Sequence, residues 1–247
     1  MRQRPRKAFE NREFLLSEGA RKIRVLTEVT YPEIVFAEQG VTDTVVFFGS
    51  ARVPGPEGDR SGPIGPYGIY YDHAREIAKQ ITSWSLKNAV PKKRNFVVCT
   101  GGGPGIMEAA NRGALDAGGK TIGLNIELPQ EQFPNPYITD ELNMDFHYFF
   151  TRKYWFLYYA RSLMVFPGGF GTLDELFETL TLRQMHSIRN VIPVFLYGKD
   201  FWRKLINFDF LAEIGMIAKE DLDLFKIVDS VDEAVASLIP VLQSSLD

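Results

Sequence analysis

Apolar residues along this chain come in unbroken runs more often than in alternation. Thr44-Val45-Val46-Phe47-Phe48, Phe96-Val97-Val98-Cys99, Thr121-Ile122-Gly123-Leu124-Asn125, Leu163-Met164-Val165-Phe166 and Val191-Ile192-Pro193-Val194-Phe195-Leu196 are each of strand length. Runs without a polar face are expected of parallel strands buried on both sides. Residues 144–150 and Lys226-Ile227-Val228 add shorter strands. Helical periodicity fills the gaps: Ala74, Ile77, Ala78 and Ile81 within 71–86, then Ala109, Ala110 and Ala114, then Leu173, Leu176, Phe177 and Leu180 on a helix running to about His186. A further helix starts near Phe201, and Ser230-Val231-Asp232-Glu233 reads as the capping box of the last one. Strands alternating with helices predict an α/β fold, a parallel sheet with helices on both faces. Right-handed crossovers then bring every strand-to-helix turn to one edge of the sheet.

Residues 1–42 read as an N-terminal extension and 43–247 as a single domain. The extension starts basic, with Arg2, Arg4, Arg6, Lys7, Arg12, Arg21, Lys22 and Arg24 offset by Glu10, Glu13 and Glu18. It is expected to be a solvated helix or arm packed on the domain; the alternative is contact with an anionic partner. Residues 53–67, rich in Pro and Gly, read as a long mobile loop. Pro91-Lys92-Lys93-Arg94 reads as a solvated basic turn, and Pro129, Pro134, Asn135 and Pro136 mark another loop.

Composition narrows the function. A net charge of -3 over 247 residues gives no global basic field for nucleic acid. No stretch approaches the roughly 20 apolar residues of a membrane span, and the basic start lacks the apolar core of a signal peptide. One cysteine, Cys99, at the end of an apolar run, leaves no internal disulfide and reads as a buried, inert thiol. A cytoplasmic location is expected. His73, His147 and His186 are scattered without ligand spacing, so no metal site is expected and the histidines read as structural.

Two glycine-rich turns carry the chemistry. Pro167-Gly168-Gly169-Phe170-Gly171-Thr172-Leu173-Asp174-Glu175 follows an apolar strand and opens a helix. Glycines let a ligand approach the backbone, and the first N–H groups of a helix lack internal partners and attract an anion. Thr172 adds a hydroxyl, and Asp174 and Glu175 place carboxylates beside the turn. The competing reading is a capping box, Thr172-x-x-Glu175, that only closes the helix end. The second turn, Thr100-Gly101-Gly102-Gly103-Pro104-Gly105, lacks the GxGxxG spacing of a dinucleotide site, although Glu127 stands where a ribose-binding acid would; a mononucleotide or sugar phosphate fits better. Gly49 and Ser50 end the first strand at the same edge. Arg152 and Lys153 open an aromatic helix, where cations oppose the dipole; they serve an anion or the nearby carboxylates, or else form an exposed basic pair. The aromatics Tyr154, Trp155, Phe156, Tyr158 and Tyr159 suit a core or a subunit interface.

GGGPGIMEAANRGA at 101–114, TRK at 151–153 and PGGFGTLDE at 167–175, in that order, resemble the LOG family. These are cytokinin riboside 5'-monophosphate phosphoribohydrolases, long labelled lysine decarboxylases. The similarity covers about 44–238. It implies a Rossmann-like, nucleotide-binding homodimer or higher homo-oligomer that needs no cofactor and hydrolyses a nucleoside 5'-monophosphate to free base and ribose 5-phosphate. It maps the phosphate and ribose site onto Gly168, Gly169, Gly171 and Thr172, and the catalytic pair onto Arg152 and Glu175. Asp174 stands where the family often has a second acid. Gly49, Ser50, Gly102, Gly103, Gly105 and Lys153 complete the expected substrate site. Phe149-Phe150-Thr151 departs from the Met-His and acid that short plant-type members carry there, and together with the extension and the 53–67 loop suggests a longer bacterial branch.

The chemistry is consistent with that resemblance. Breaking an N-glycosidic bond builds positive charge on the anomeric carbon, which a carboxylate such as Glu175 can stabilise, or it can activate the attacking water. The fixed fork of donors on Arg152 suits a departing base or the carboxylate itself. Pyridoxal chemistry would need a Schiff-base lysine, and no Ser-x-His-Lys occurs. The competing classes are a non-catalytic nucleotide-binding or cofactor-carrier protein on the same fold and, more remotely, a nicotinamide-dependent oxidoreductase.

Overall fold

All five residues of β1 (Thr44–Phe48) are buried, as its unbroken apolar run requires. Val45 and Phe47 point into one hydrophobic core and Val46 and Phe48 into another, because successive strand side chains alternate between faces. The computed structural model describes residues 4–89, 93–126, 133–185, 187 and 192–246. Before β1 come α1 (Arg12–Leu16) and α2 (Arg21–Glu38). After it follow α3 (Gly68–Lys87), β2 (Val97–Thr100), α4 (Ile106–Asp116), β3 (Thr121–Ile126), β4 (Asn143–Phe146), α5 (Phe149–Tyr158), β5 (Ala160–Val165) and α6 (Phe170–Gln184). The chain ends with β6 (Val194–Tyr197), α7 (Lys199–Leu205), α8 (Phe208–Glu213), β7 (Phe225–Val228) and α9 (Val231–Gln243).

The described strands form one parallel sheet in the order β4-β3-β2-β1-β5-β6-β7. This is a Rossmann-type arrangement. The chain winds outward from β1 to β4, then crosses back to β5 on the other side of β1. The crevice beyond the carboxyl ends of β1 and β5 is therefore the topological switch point, where ligands bind in open α/β sheets.

Helices α3, α4 and α9 cover one face, with Tyr71, Ile77, Ile81, Ile106, Leu238 and Leu242 in the core. Helices α2, α5, α6, α7 and α8 supply Phe36, Trp155, Phe156, Leu176, Trp202 and Phe208 to the other. The stretch before β1 is thus an arm packed on the sheet: Phe36 of α2 meets Trp155 of α5 and Tyr159 just after it edge to face, with centroids 6.1 and 5.0 Å apart.

Several expected boundaries move. The 144–150 strand ends at Phe146, and α5 begins at Phe149, two residues before Thr151. The 191–196 strand is β6, starting at Val194 after Pro193, which has no N–H to give a ladder. Helix α8 had no clear sequence signal. Phe177 is 40% exposed, although its spacing matches an inward face; the stripe that α6 buries is Thr172, Glu175, Leu176 and Thr179. The first half of the last capping box is present, Ser230 Oγ accepting from Glu233 N–H at 3.1 Å. The Glu233 carboxylate, however, accepts from Asp229 N–H at 2.9 Å. Residues 53–67 take defined turns: Arg60 pairs with Asp72 at 3.0 Å and Val53 is buried. Pro91, Lys92, Glu127, Pro129, His186 and Val191 lie outside the described residues.

Gly113 sits where α4 crosses α3, and a Cβ there would collide with the Arg75 carbonyl and press on Ala78. Gly113→Val should therefore destabilise the fold by about 1–3 kcal/mol, the usual cost of overpacking, read as a lower urea midpoint with an unchanged slope.

Candidate functional site

Three loops meet at the switch point through backbone hydrogen bonds. Ser50 N–H donates to Pro167 O at 3.0 Å, and Ile106 N–H donates to Ser50 O at 3.1 Å. The turn after β1, the GGGPG turn and the PGGFGT turn are therefore one assembly. Many of the glycines serve its packing. A Cβ on Gly49 would run into Ile106, one on Gly105 into the Ser50–Ala51 backbone, and one on Gly102 into the Asn125 amide. Gly102 and Gly105 also have φ of 75° and 67°, a region that favours glycine. A buried polar web holds the GGGPG turn. Asn135 Nδ2 lies 3.1 Å from the carbonyls of both Gly102 and Gly103, and 2.9 Å from Asn111 Oδ1. Asn111 Oδ1 also accepts from Thr100 Oγ1 at 2.7 Å. From the sequence Asn135 reads only as a loop marker and Asn111 only as part of the 101–114 motif; nothing local shows that the two hold this turn.

The PGGFGT turn differs. Pro167 and Thr172 are buried, and a Cβ on Gly168 would collide with the Thr172 side chain. At Gly169 and Gly171 a Cβ would meet nothing within 4 Å. Gly169 is the N-cap of α6 and makes no side-chain cap, so Thr172 is the third helical residue and the Thr172–Glu175 capping box does not form. The first helical bond there is Leu173 N–H to Gly169 O at 3.0 Å. The N–H groups of Phe170, Gly171 and Thr172 make no hydrogen bond among the described residues. They are unfilled donors at the positive end of a helix.

Glu175, one turn further on, is only 5% exposed. No donor among the described residues is hydrogen-bonded to its carboxylate, and burial raises its pKa from 4.5 to about 7 against the pull of Lys153 and Arg152. Glu178 and Asp174 push in the same direction as burial. Arg152, from α5, is partly buried, and its Nε is enclosed without a partner among the described residues. Its guanidinium lies 5.4 Å from the Phe149 ring centre and 5.5 Å from that of Phe156. Its Nη1 is 3.8 Å from where a Gly101 Cβ would stand. Burial lowers its pKa, while Glu175 and Asp174 oppose that shift. Arg152 thus reaches from α5 to the GGGPG turn, within electrostatic range of Glu175 and Asp174 on α6. Lys153 is spent differently, pairing with Asp174 at 2.8 Å and Glu178 at 2.9 Å. Asp174 is largely exposed in that pair. An open hollow of about 560 Å³ is lined by Lys153, Phe170, Leu173, Asp174, Phe177 and Glu178, with neither Arg152 nor Glu175 in its wall.

The other titratable candidates lie apart. Cys99 is fully buried, and burial pushes its thiol well up. His73 Nδ1 is 2.8 Å from the Tyr197 hydroxyl. Among the described residues no group of three His, Cys, Asp or Glu is placed to hold a metal ion.

Comparison with known proteins gives the family. Residues 107–238, just over half of the chain, match the family described as "Possible lysine decarboxylase". The chain belongs to this family, the LOG family. A relative named "Probable cytokinin riboside 5'-monophosphate phosphoribohydrolase LOG4", from Oryza sativa subsp. japonica, is 28% identical over 58% of this chain and 61% of its own length. A pyrimidine/purine nucleotide 5'-monophosphate nucleosidase of Escherichia coli K12 is 30% identical over 47% of this chain, which spans only 28% of that protein. Among solved structures, the molybdenum cofactor carrier protein of Chlamydomonas reinhardtii aligns over 82% of this chain and 99% of its own at 19% identity, with a TM-score of 0.49.

The raised pKa has a consequence for stability. Between about pH 4.5 and 7 the folded protein holds a proton on Glu175 that the unfolded chain has lost, so this group makes stability fall as pH rises through that window. The full penalty, reached above pH 7, is about 3 kcal/mol. Glu175→Gln should therefore gain melting temperature over the parent at pH 8 by several degrees more than at pH 5.

Proposed function

We propose that this protein hydrolyses the N-glycosidic bond of a purine or cytokinin-type nucleoside 5'-monophosphate, releasing free base and ribose 5-phosphate. The observation that carries this reading is Glu175, an ionisable carboxyl kept out of water one turn from an unfilled helix N-terminus. A nucleotide carrier needs the donors of the PGGFGT turn but gains nothing from a buried carboxyl that destabilises its fold near neutral pH. An enzyme that must stabilise positive charge on a sugar gains a great deal, because a charge in a water-poor site acts strongly on a developing one.

In this reading the phosphate sits on the N–H groups of Phe170, Gly171 and Thr172 and on the Thr172 hydroxyl. Binding it supplies remote energy that places the glycosidic bond. As that bond breaks, its electron pair leaves with the base and positive charge grows on C1′ and the ring oxygen. The Glu175 carboxylate stabilises that charge and takes a proton from the attacking water, whose oxygen becomes the new hydroxyl on C1′; that proton then passes through water to the departing base, giving neutral free base and restoring the carboxylate. The Arg152 guanidinium faces the carboxylate across the site and offsets negative charge on the departing base. Lys153 holds Asp174 and Glu178 and so braces α6 against α5. The proposed chemistry asks for no metal and no cofactor.

We further infer a homodimer. Phe149, Phe150, Tyr154 and Tyr158 on α5 and Phe170 and Phe177 on α6 are 40–93% exposed, and an apolar surface this concentrated marks an interface. A cytoplasmic location accords with the lone buried thiol; no described helix is long and apolar enough to cross a membrane.

Three measurements test this. With chelator present, the protein should release adenine from AMP; activity lost on chelation and restored by a divalent metal would sink the metal-free mechanism. Glu175→Gln should slow turnover roughly 100-fold or more while AMP binding largely survives; Arg152→Ala should also slow it, and Lys153→Ala less. A Glu175→Gln variant that hydrolyses AMP at the parent rate would remove Glu175 from the mechanism. Light scattering at micromolar concentration should return twice the 28.0 kDa chain mass or more.

A further inference from the structure

Helix α5, which carries Arg152, has no cap of its own: Tyr148 at its N-cap makes no side-chain hydrogen bond to the helix. Acceptors come instead from α2, in the arm that precedes the sheet. The Glu28 carboxylate accepts from His147 N–H at 2.9 Å and from Tyr148 N–H at 3.2 Å, and it lies 2.6 Å from the Thr151 hydroxyl. The Glu28 backbone carbonyl accepts from Trp155 Nε1–H at 2.9 Å. One residue therefore holds the turn into α5 and two side chains one helical turn apart on its buried side. Its negative charge at the helix start also complements the dipole that Arg152 and Lys153, just beyond, oppose.

Rotation fixes what this grip controls. Thr151 and Trp155 form the row that faces α2. Arg152 and Phe156 are each one residue further on, and they turn toward Gly101 and Phe48, whose ring meets Phe156 edge to face at 4.9 Å. Helix α5 cannot slide or rotate relative to α2 without breaking the bonds to Glu28, and any such movement would carry Arg152 and Phe156 away from the Gly101 turn. We propose that Glu28 is a positioning residue that acts through Arg152, which makes the N-terminal arm a working part of the site. This rests on the assignment of Arg152 to the site, and the test separates the two.

The experiment is a double-mutant cycle on the full chain: parent, Glu28→Ala, Arg152→Ala and the double variant. Melting temperature, AMP affinity by calorimetry and base release with enzyme in excess are measured for each. Small displacements of a catalytic group are costly, so Glu28→Ala should lower base release about tenfold or more in the parent. In the Arg152→Ala background it should lower it less than about twofold, since residues acting as a unit are not additive. Glu28→Gln retains one acceptor oxygen and should fall between parent and Ala. If Glu28→Ala does not fold, the Gln variant is judged by the same non-additivity. Equal losses from Glu28 substitution in both backgrounds, or no loss in the parent, would overturn the proposal. If the parent itself releases no base, the hydrolase reading fails alone. The cycle is then read in AMP affinity, where coupling between the two substitutions supports the positioning role and additivity overturns it.

Discussion

The reversal of winding between β1 and β5 is the constraint on which the rest depends. The two strands lie side by side and parallel, yet the chain leaves them toward opposite faces of the sheet, to α3 from β1 and to α6 from β5. Loops that diverge in this way leave a gap at the carboxyl edge. Ser50 N–H to Pro167 O spans the gap at its base, and Ile106 N–H to Ser50 O draws the GGGPG turn to the same point. The helix N-terminus at Phe170, the carboxyl of Glu175 and the guanidinium of Arg152 are arranged around it.

Charge burial sets the energetic character of that site. A carboxyl and a guanidinium both kept largely from water are costly unless paired tightly. Here they feel one another, but neither is hydrogen-bonded to the other; Glu175 rises toward neutral pH and Arg152 keeps an unpartnered Nε. Lys153 shows the contrast. It lies one residue on, is engaged by two carboxylates, and ties α5 to α6. Strain of this kind, concentrated on two residues at a ligand edge while their neighbours are satisfied, is expected where folding stability is given up for function.

The arm before β1 belongs to the same economy of position. Phe36 shares a core with Trp155, and Glu28 caps α5 from outside. The packing that stabilises the arm is therefore also the packing that fixes the direction in which Arg152 projects.

The sequence by itself determined the layered fold. Apolar runs such as 44–48 and 163–166 can be satisfied only by strands covered on both faces, and crossover handedness then sends the glycine turns to one edge. It also marked the PGGFGT turn, because a strand, a glycine turn and a helix start are local in the chain; the pairing of Arg152 with Glu175 came from the family resemblance. Strand order, and hence the β1/β5 gap, came from pairings between residues over a hundred apart, such as Val46 with Leu163. Which glycines face open space, as Gly169 and Gly171 do, and which pack against neighbours, as Gly49 and Gly102 do, depends on those neighbours. Apolar spacing places Leu173, Leu176 and Leu180 against the core, as they are, but Phe177 faces out, while the helix also turns Thr172, Glu175 and Thr179 inward. Glu28 had no motif to mark it: its role arises only when α2 lies against α5, and a contact between segments so distant in sequence leaves no local pattern to read.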